Sequence, residues 1–481
     1  MTASRMSRMP RFLLALTVAV ALYAVIAGTM NHNASYLLFV ADRVLNGARL
    51  YVDFPEINPP LIIWLNMPVA WLAQHAGVPD AYVFRFSVCA LALASVAASG
   101  AILRNVLTTP DFWAWHAMGV YATIAAPGYS FGEREHIALL CVLPYLAEAT
   151  RRMHDKPCGR IVQVAASLLA ALGLGLKPHF LLAPMLIESS FMLKTRRGPA
   201  VATFVALAAL ATYAGAVYWL SPNYFDMLRL LSTTYWNYAD SWTGFVQVPE
   251  FMGAALLAAI AWMAGSTAPA LFRTVSLAAL GFALAAIIQH KGWSYHWYPV
   301  LALCWLLFGL AVAKAVAYRQ AASPVIVTAL AVIVSAWSCQ QAIRGQDNPN
   351  PALLAPAIRE LGGGPVIVFS SFEASYPLVT MPGIGTSTRF PTMTILSATI
   401  HDRNARALRW IQQSFVSDFR RQPPRLLLVE TDPDGKPVFD FVGYFTPFVP
   451  ELASYRQVRQ VGKFQVLQAP AAQQRRFGHG L

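Results

Sequence analysis

The sequence predicts an α-helical polytopic membrane protein with about eleven transmembrane helices and a C-terminal soluble α/β domain. The chain has 481 residues, of which 57% are hydrophobic and only 12% are charged, and its mean hydropathy is +0.48. Near residue 342 the composition changes, because charged residues, prolines and ordinary globular alternation replace the long apolar runs. We therefore divide the chain into a transmembrane domain, 1–341, and a soluble domain, 342–481.

The apolar runs of the first part predict the individual spans. A membrane helix needs about 20 apolar residues, and several of these runs are shorter. Pro178 lies between two runs and cannot sit inside a helix without loss of a hydrogen bond, so we expect the chain to break there. In order, the predicted spans are 12–28, 82–102, 112–126, 137–149, 161–176, 180–193, 201–220, 251–268, 274–289, 298–312 and 324–339.

A long loop, residues 30–81, separates the first two spans. Within it, residues 35–45 predict a surface helix. Residues 61–73 are apolar, but they are fewer than the roughly 20 that a span needs. We place this second segment in the membrane interface, a depth that suits Trp64 and Trp71.

Basic residues are distributed unequally between the two sets of loops. One set of short loops carries about fourteen Lys and Arg residues and the opposite set about six, so the positive-inside rule makes the first set cytoplasmic. The threading then puts loop 30–81 and residues 342–481 on the periplasmic side of a bacterial inner membrane. The net charge of +13 follows this topology, and we expect no nucleic-acid partner.

The C-terminal region has the pattern of a soluble α/β domain. Residues 365–369 and 426–429 predict buried strands, and residues 405–419 predict a helix. A segment of about 130 residues is large enough for its own hydrophobic core.

Residues 50–61 carry the strongest chemical signal. Asp53 and Glu56 lie beside three prolines within six residues, and each proline holds the residue before it in extended backbone. A stiff carboxylate just above the interface can act as a general base, a metal ligand or an acceptor for a sugar hydroxyl. A polar loop kinked by prolines is the alternative.

Three further hairpin tips keep ionisable groups beside the spans, and the threading places them on the same face as loop 30–81. Such charges are costly at a membrane and commonly functional. Taken singly, each tip also fits a solvated turn, a snorkelling lysine or an aromatic-belt turn. Together, cations suit a phosphate and aromatic rings suit a sugar face. The candidates are Arg134 and His136, Lys177 and His179, and His290, Lys291, Tyr295 and His296.

With these segments, the chain resembles the C-type membrane glycosyltransferases, near the protein O-mannosyltransferases and the bacterial lipid A aminoarabinose transferases. The resemblance covers the membrane part. It depends on residues 56–64, on Arg85 at the start of the second span, on Lys177 and on the loop 291–299. The resemblance implies that the acidic segment ending in Pro-Pro-Leu lines an active site, that the donor is a polyprenyl-phosphate sugar, and that transfer occurs on the outer face.

The implied function is transfer of a hexosyl or pentosyl group to a cell-envelope acceptor, which is a glycan, a lipid or a protein. Glu56 or Asp53 is then the catalytic base. The residues expected to bind the donor phosphate are Arg134, Lys177 and Lys291. The residues expected to bind the substrates more generally are His32, Asn58, His136, His179, His290, Tyr295 and His296.

Asn33 departs from the family pattern. The family has an aspartate soon after the first span, as the presumed base, and an asparagine cannot take a proton. Either Asp53, Glu56 or His32 takes the role, or the alignment is shifted by several residues, or the protein lacks transferase activity.

The metal requirement is also open. A divalent metal ion bridging Glu56 with His179 or His296 is one arrangement, although no tight ligand spacing supports it. No other cofactor is expected.

Other classes of membrane protein handle lipid-linked saccharides. A transporter or flippase tends to show internal repeats and polar sites at the bilayer midplane, whereas this chain shows no repeat and gathers its polar groups at one end of the spans. A polysaccharide polymerase or ligase shares the substrate, and a non-catalytic envelope assembly protein is the remaining alternative.

Overall fold

The computed structural model describes residues 3–236, 241–317, 322–344, 350–370 and 375–470. Helices dominate it. In chain order they are α1 (Ala3–Ala27), α2 (His32–Leu45), α3 (Leu61–Ala76), α4 (Asp80–Leu103), α5 (Thr109–Val120), α6 (Arg134–Met153), α7 (Arg160–Leu174), α8 (Leu182–Thr195), α9 (Val201–Leu220), α10 (Asn223–Trp236), α11 (Trp242–Val246), α12 (Pro249–Ala264), α13 (Pro269–Gln289), α14 (Ser294–Ala315), α15 (Ser323–Ile343), α16 (Asn350–Glu360), α17 (Thr394–His401), α18 (Ala405–Arg421) and α19 (Phe441–Phe445).

The helices coincide with the predicted spans. Each span matches one of α1, α4 to α9 and α12 to α15, while α2 and α3 match the surface helix and the interfacial segment. Among the described residues, six helices are long and apolar enough to cross a membrane, and α7 and α12 are apolar but shorter. The predicted fold class, a polytopic helical membrane protein, is therefore confirmed.

The chain forms two compact units. The helical unit consists of Met1–Thr29, Asn58–Leu220 and Ala239–Asp347; the mixed unit consists of Met30–Ile57, Ser221–Tyr238 and Asn348–Leu481. The two units are defined by which residues pack together. The predicted division at residue 342 instead separates the residues expected in the membrane from those expected outside it. The bilayer division and the periplasmic placement of loop 30–81 stay predictions.

Helix α6 is the central helix of the helical unit. Nearly all its residues are buried, and it packs against α4, α7, α13 and α14. Ionisable groups on such a helix need partners. At its C-terminal end Arg152 lies 2.8 Å from Glu148 and 2.6 Å from Glu188, and the Tyr145 hydroxyl donates to Glu188 at 2.7 Å. This network joins α6 to α8.

Between α7 and α8 the chain breaks as predicted. A short 3-10 turn, Pro178–Leu181, replaces regular helix, and Lys177 just before it has extended backbone. The ring of Pro178 disfavours helical backbone at the preceding residue. The break turns the Lys177 side chain out of the helical repeat.

The mixed unit contains one four-stranded sheet with the order β1-β2-β4-β3. Its strands are β1 (Val366–Phe369), β2 (Leu426–Glu430), β3 (Arg456–Val461) and β4 (Phe464–Gln468). Strands β1 and β2 are parallel, and α18 lies between them in sequence, as a parallel connection requires. Both strands and α18 confirm the predicted elements. The hairpin β3–β4 was not predicted.

Candidate functional site

The N-terminal end of α6 is held by His136. The carbonyl of Thr123 lacks its usual helical donor because residue 127 is a proline, and a π-helical turn marks the end of α5. His136 Nε2 donates to that carbonyl at 2.8 Å, while Nδ1 accepts from the Gly132 amide at 3.0 Å. A Cβ at Gly132, whose φ is +80°, would lie 2.4 Å from the Phe84 ring. Both ring nitrogens of His136 therefore bond to backbone.

Beside His136, Glu135 and Lys177 form a buried ion pair. Lys177 Nζ lies 2.5 Å from Glu135 Oε1 and donates to Gln289 Oε1 at 2.8 Å. His296 Nε2 is 3.4 Å from Nζ and 3.5 Å from the same Glu135 oxygen. The Lys177 ammonium group is therefore the point where four segments meet. They are α6, the α7–α8 connection, the end of α13 and the start of α14.

Two more cations lie in electrostatic reach of this pair. Arg134 and Lys291 are buried, and Lys291 Nζ lies 5.0 Å from the centre of the Trp293 ring. Burial, followed by the positive charges of Lys177 and Arg134, lowers the pKa of Lys291 to about 6. We call Arg134, Lys177 and Lys291 the cationic cluster.

The charge state of the cationic cluster depends on Lys291. With Lys291 protonated, the cluster carries one more positive charge than it does with Lys291 neutral. His179 adds no charge near neutral pH, because burial and then the positive charge of Lys177 lower its pKa to about 3. A bound anion would favour the protonated state of Lys291. The cluster is therefore suited to an anionic ligand.

The remaining candidates of this region are embedded in aromatic rings. His290 ends α13 in left-handed backbone, and its ring centre lies 4.1 Å from that of Trp242. Tyr295 packs against His296 at 4.6 Å, and Lys177 Nζ lies 5.7 Å from the Tyr295 ring centre. These contacts give the cluster an apolar, aromatic surround.

In the mixed unit, Glu56 is the buried acid of the first loop. It is 5% exposed, and its Oε1 accepts from the Ile57 amide at 2.9 Å. Burial, and then the charge of Glu56, raise the pKa of Tyr36 and of Tyr224. Glu56 therefore lies in an environment of tyrosine side chains.

Asp53 has a different environment. Its Oδ2 accepts from the Arg49 amide at 2.7 Å, its Oδ1 lies 3.6 Å from the Arg49 guanidinium, and its side chain is 36% exposed. These contacts stabilise the local turn. Of the two acids proposed as base, Glu56 is the buried one and Asp53 supports the backbone.

The other first-loop candidates lie at helix starts. His32 is the first residue of α2, and Asn31 caps that helix by accepting from the Asn33 amide at 2.7 Å. Asn58 lies shortly before Pro60, the N-cap of α3. His32, Asp53 and Glu56 belong to the mixed unit, whereas the other predicted site residues belong to the helical unit. Their roles as site residues stay predictions.

Sequence reasoning missed Glu135 and Gln289 as members of the site. Glu135 lies between two candidates, Arg134 and His136. An acidic residue at that position, in the first turn of α6, was the sequence signal that could have identified it. Gln289 is the last residue of an apolar span. A polar residue at the end of such a span, beside His290, was the signal there.

The proposed divalent metal ion bridging Glu56 with His179 or His296 stays a prediction. In the described ranges, no group of three or more His, Cys, Asp and Glu residues is arranged to hold one. Glu135 Oε1 and His296 Nε2 do approach to 3.5 Å, but the Lys177 ammonium lies 2.5 Å from the same oxygen.

The fold of this chain, polytopic helices followed in sequence by a small sheet, is similar to that of solved structures of ArnT. The crystal structure of ArnT from Cupriavidus metallidurans bound to undecaprenyl phosphate is similar, with a TM-score of 0.61 and 14% sequence identity over 96% of this chain and 98% of that chain. Its apo state gives a TM-score of 0.61 and 14% identity, over 95% and 98%.

By sequence, no family model and no curated protein matches this chain. ArnT is a lipid A aminoarabinose transferase, one of the two groups that the sequence resembles. The resemblance is thus confirmed at the level of the fold.

Proposed function

We propose that this protein transfers a sugar from a polyprenyl-phosphate-linked donor to a cell-envelope acceptor on the periplasmic face of a bacterial inner membrane. The observation that carries the proposal is the buried cationic cluster of Arg134, Lys177 and Lys291. Buried cations suit a phosphate, and a membrane-embedded unit suits a lipid tail. ArnT, which has the same fold, was crystallised with undecaprenyl phosphate.

In the proposed reaction the cluster stabilises the leaving group. The bond between the anomeric carbon and the phosphate oxygen breaks, and its electron pair stays on the lipid phosphate. Preorganised cations lower the energy of that developing charge more effectively than water does, because they need no reorganisation during the reaction. Glu135 and Gln289 fix the ammonium group of Lys177.

The acceptor supplies the new bond. Its oxygen attacks the anomeric carbon while its proton passes to a carboxylate, for which we propose Glu56. Asp53 is the weaker candidate because its side chain is 36% exposed and lies beside the Arg49 guanidinium at the surface. Glu56 is buried, and exclusion of water protects a transfer reaction from competing hydrolysis.

Transfer from a labelled polyprenyl-phosphate sugar in proteoliposomes tests the proposal. Glu56→Gln should lower turnover by about 100-fold or more, the usual contribution of a general base. Asp53→Asn is the matched control and should leave turnover within a few-fold. Wild-type turnover in Glu56→Gln would remove Glu56 from the mechanism.

The donor site has its own test. Lys177→Met should weaken binding of the lipid-phosphate sugar by about tenfold or more, as loss of a charge-assisted contact does. Lys314→Met is the matched control, because Lys314 donates to the Ala264 carbonyl away from the cluster. Donor movement across the bilayer without any glycosylated product would instead indicate a flippase.

A further inference from the structure

A groove opens between α12 and α13, beside the short connection that joins them. It has a volume of about 670 Å³, and its lining includes Trp262, Ser266, Phe272, Arg273, Ser276 and Leu280. Most of its lining surface is apolar, and one of the side chains is a cation. None of these residues takes part in the cationic cluster or in the proposed reaction.

The surface around the groove is apolar and exposed. Trp262 is 64% exposed, Met263 80% and Leu280 50%. In a polytopic membrane protein, exposed apolar side chains of this kind face lipid chains. Tryptophan is also enriched at the depth of the lipid headgroups. The groove therefore opens toward lipid, with Trp262 near the interface.

One end of the groove offers donors for an anion. Arg273 is exposed, and within the described ranges its guanidinium forms no hydrogen bond or ion pair. Ser266 Oγ accepts from the Ala268 amide at 3.0 Å, which leaves its O–H to donate outward. Ser276 donates instead to the Phe272 carbonyl at 2.8 Å. Arg273 and Ser266 are therefore the two groups available to a phosphate.

We propose that this groove binds an anionic phospholipid of the bilayer, with the headgroup phosphate on Arg273 and Ser266 and one acyl chain along Phe272 and Leu280. The groove combines a cationic end with an apolar channel, and a lipid without net charge would use the cationic end only in part. The loop charges predict that this end of α12 and α13 faces the cytoplasm, and anionic lipids of that leaflet are attracted to basic groups there.

The groove is separate from the proposed donor site. Arg273 is near the start of α13, whereas Gln289, which contacts Lys177, is its last residue. The rise of a helix puts these two residues about 24 Å apart along α13. One lipid phosphate cannot contact both sites, so lipid binding at the groove and donor binding at the cluster are independently testable.

Native mass spectrometry of the full chain in detergent tests the proposal, with phosphatidylglycerol and phosphatidylcholine of identical acyl chains as probes. The wild type should retain phosphatidylglycerol preferentially. Arg273→Gln should lower its affinity about fivefold, the effect of one basic residue near an anionic lipid. The affinity of phosphatidylcholine should fall less, because its choline group offsets the charge of its phosphate. Arg104→Gln, an exposed arginine of the same predicted set of loops, is the matched control.

A second variant tests the apolar channel. Ser276→Trp fills the groove beside Phe272 and should lower retention of phosphatidylglycerol while Arg273 is intact. Equal retention of the two lipids by the wild type, or unchanged phosphatidylglycerol retention in Arg273→Gln, would overturn the proposal. Because Arg273 is exposed, its substitution leaves the packing of the helices intact. The lipid preference of Arg273→Gln can therefore be measured even if Ser276→Trp does not fold.

Discussion

Lys177 Nζ lies 2.5 Å from Glu135 Oε1, and the two side chains are 4% and 0% exposed. Both charges have left water, so each depends on the other to offset the cost of desolvation. The pair also joins the central helix α6 to the break between α7 and α8. Glu135 thus fixes the position of the Lys177 ammonium group and opposes the lowering of its pKa by burial.

Removing one partner of this pair should destabilise the fold. Glu135→Gln and Lys177→Met should each lower the free energy of unfolding by about 3–5 kcal/mol, because a buried charge is left uncompensated. The double variant should recover most of that loss, since neither charge remains. Thermal unfolding in detergent measures all three variants.

Donor binding by the double variant distinguishes a ligand-binding role of Lys177 from a purely structural one. The double variant should remain unable to bind the lipid-phosphate sugar tightly, because the ammonium is gone even though stability has returned. If the double variant binds the donor like the wild type, Lys177 has only a structural role and the proposed donor site is wrong.

Lys291 gives the protein a pH dependence with a definite sign. Its pKa of about 6 in the folded chain lies below the ordinary lysine value near 10.4. Between these two pKa values the unfolded chain binds more protons than the folded chain, so the free energy of unfolding rises with pH across that interval. The destabilisation caused by burying protonated Lys291 is therefore greatest below about pH 6. Lys291→Met should raise the unfolding temperature most at about pH 6, with a difference that shrinks toward about pH 10.

The same lysine should couple pH to donor affinity. Binding of the sugar phosphodiester, whose charge is constant over this range, should weaken by about tenfold as the pH rises from roughly 6 to 8 and Lys291 loses its proton. In Lys291→Met that dependence should disappear and affinity should be low throughout. A flat pH profile in the wild type would show that Lys291 does not contact the phosphate.

His136 should behave as a structural residue. Its two ring nitrogens connect the Thr123 carbonyl and the Gly132 amide, so His136→Ala should lower the free energy of unfolding by about 1–3 kcal/mol. The donor dissociation constant, measured below the unfolding transition, should stay within a few-fold of the wild type. A large loss of donor affinity without loss of stability would instead make His136 a ligand-binding residue, as its position in the sequence first predicted.

The elements that the sequence predicts well are those with strong local signals. The spans are visible because their apolar runs are long, and β1 and β2 because they are short, fully buried apolar runs. Strand β3 was missed because it is an exposed strand in which Arg-Gln-Val occurs twice, without the period-two alternation that a strand with one buried face shows. Its place in the sheet depends on pairing with β4, which local sequence does not specify.

The site was only partly predictable for the same reason. The hairpin tips were identified because charges are rare beside spans. The partner of Lys177 was not identified, because Glu135 lies 42 residues away in sequence and the contact depends on how α6 packs. The role of His136 was also hidden, since it follows from a carbonyl that a proline leaves without its helical donor.

Arg389 should position the first-loop backbone within the mixed unit. Its Nε and Nη2 bind the buried Asp418 at 3.0 and 2.8 Å, and its Nη1 donates to the Val52 carbonyl at 3.2 Å, next to Asp53. Arg389→Lys keeps the charge but loses the planar fork that reaches both groups. Hydrogen exchange of residues 49–57 should therefore accelerate in this variant. The turnover number should fall more than donor affinity, because Glu56 is on the loosened segment.

Arg421→Lys is the matched control for this prediction. Arg421 also approaches Asp418, at 3.4 Å, but its side chain is 72% exposed, and exposed pairs contribute little to stability. It should leave both exchange and turnover near the wild-type values. If hydrogen exchange of residues 49–57 accelerates equally in both variants, the cause is the loss of contacts to Asp418 and of α18 packing, and not the loss of the Val52 contact. Unchanged exchange in Arg389→Lys would show that the Val52 contact does not hold the segment that bears the proposed base.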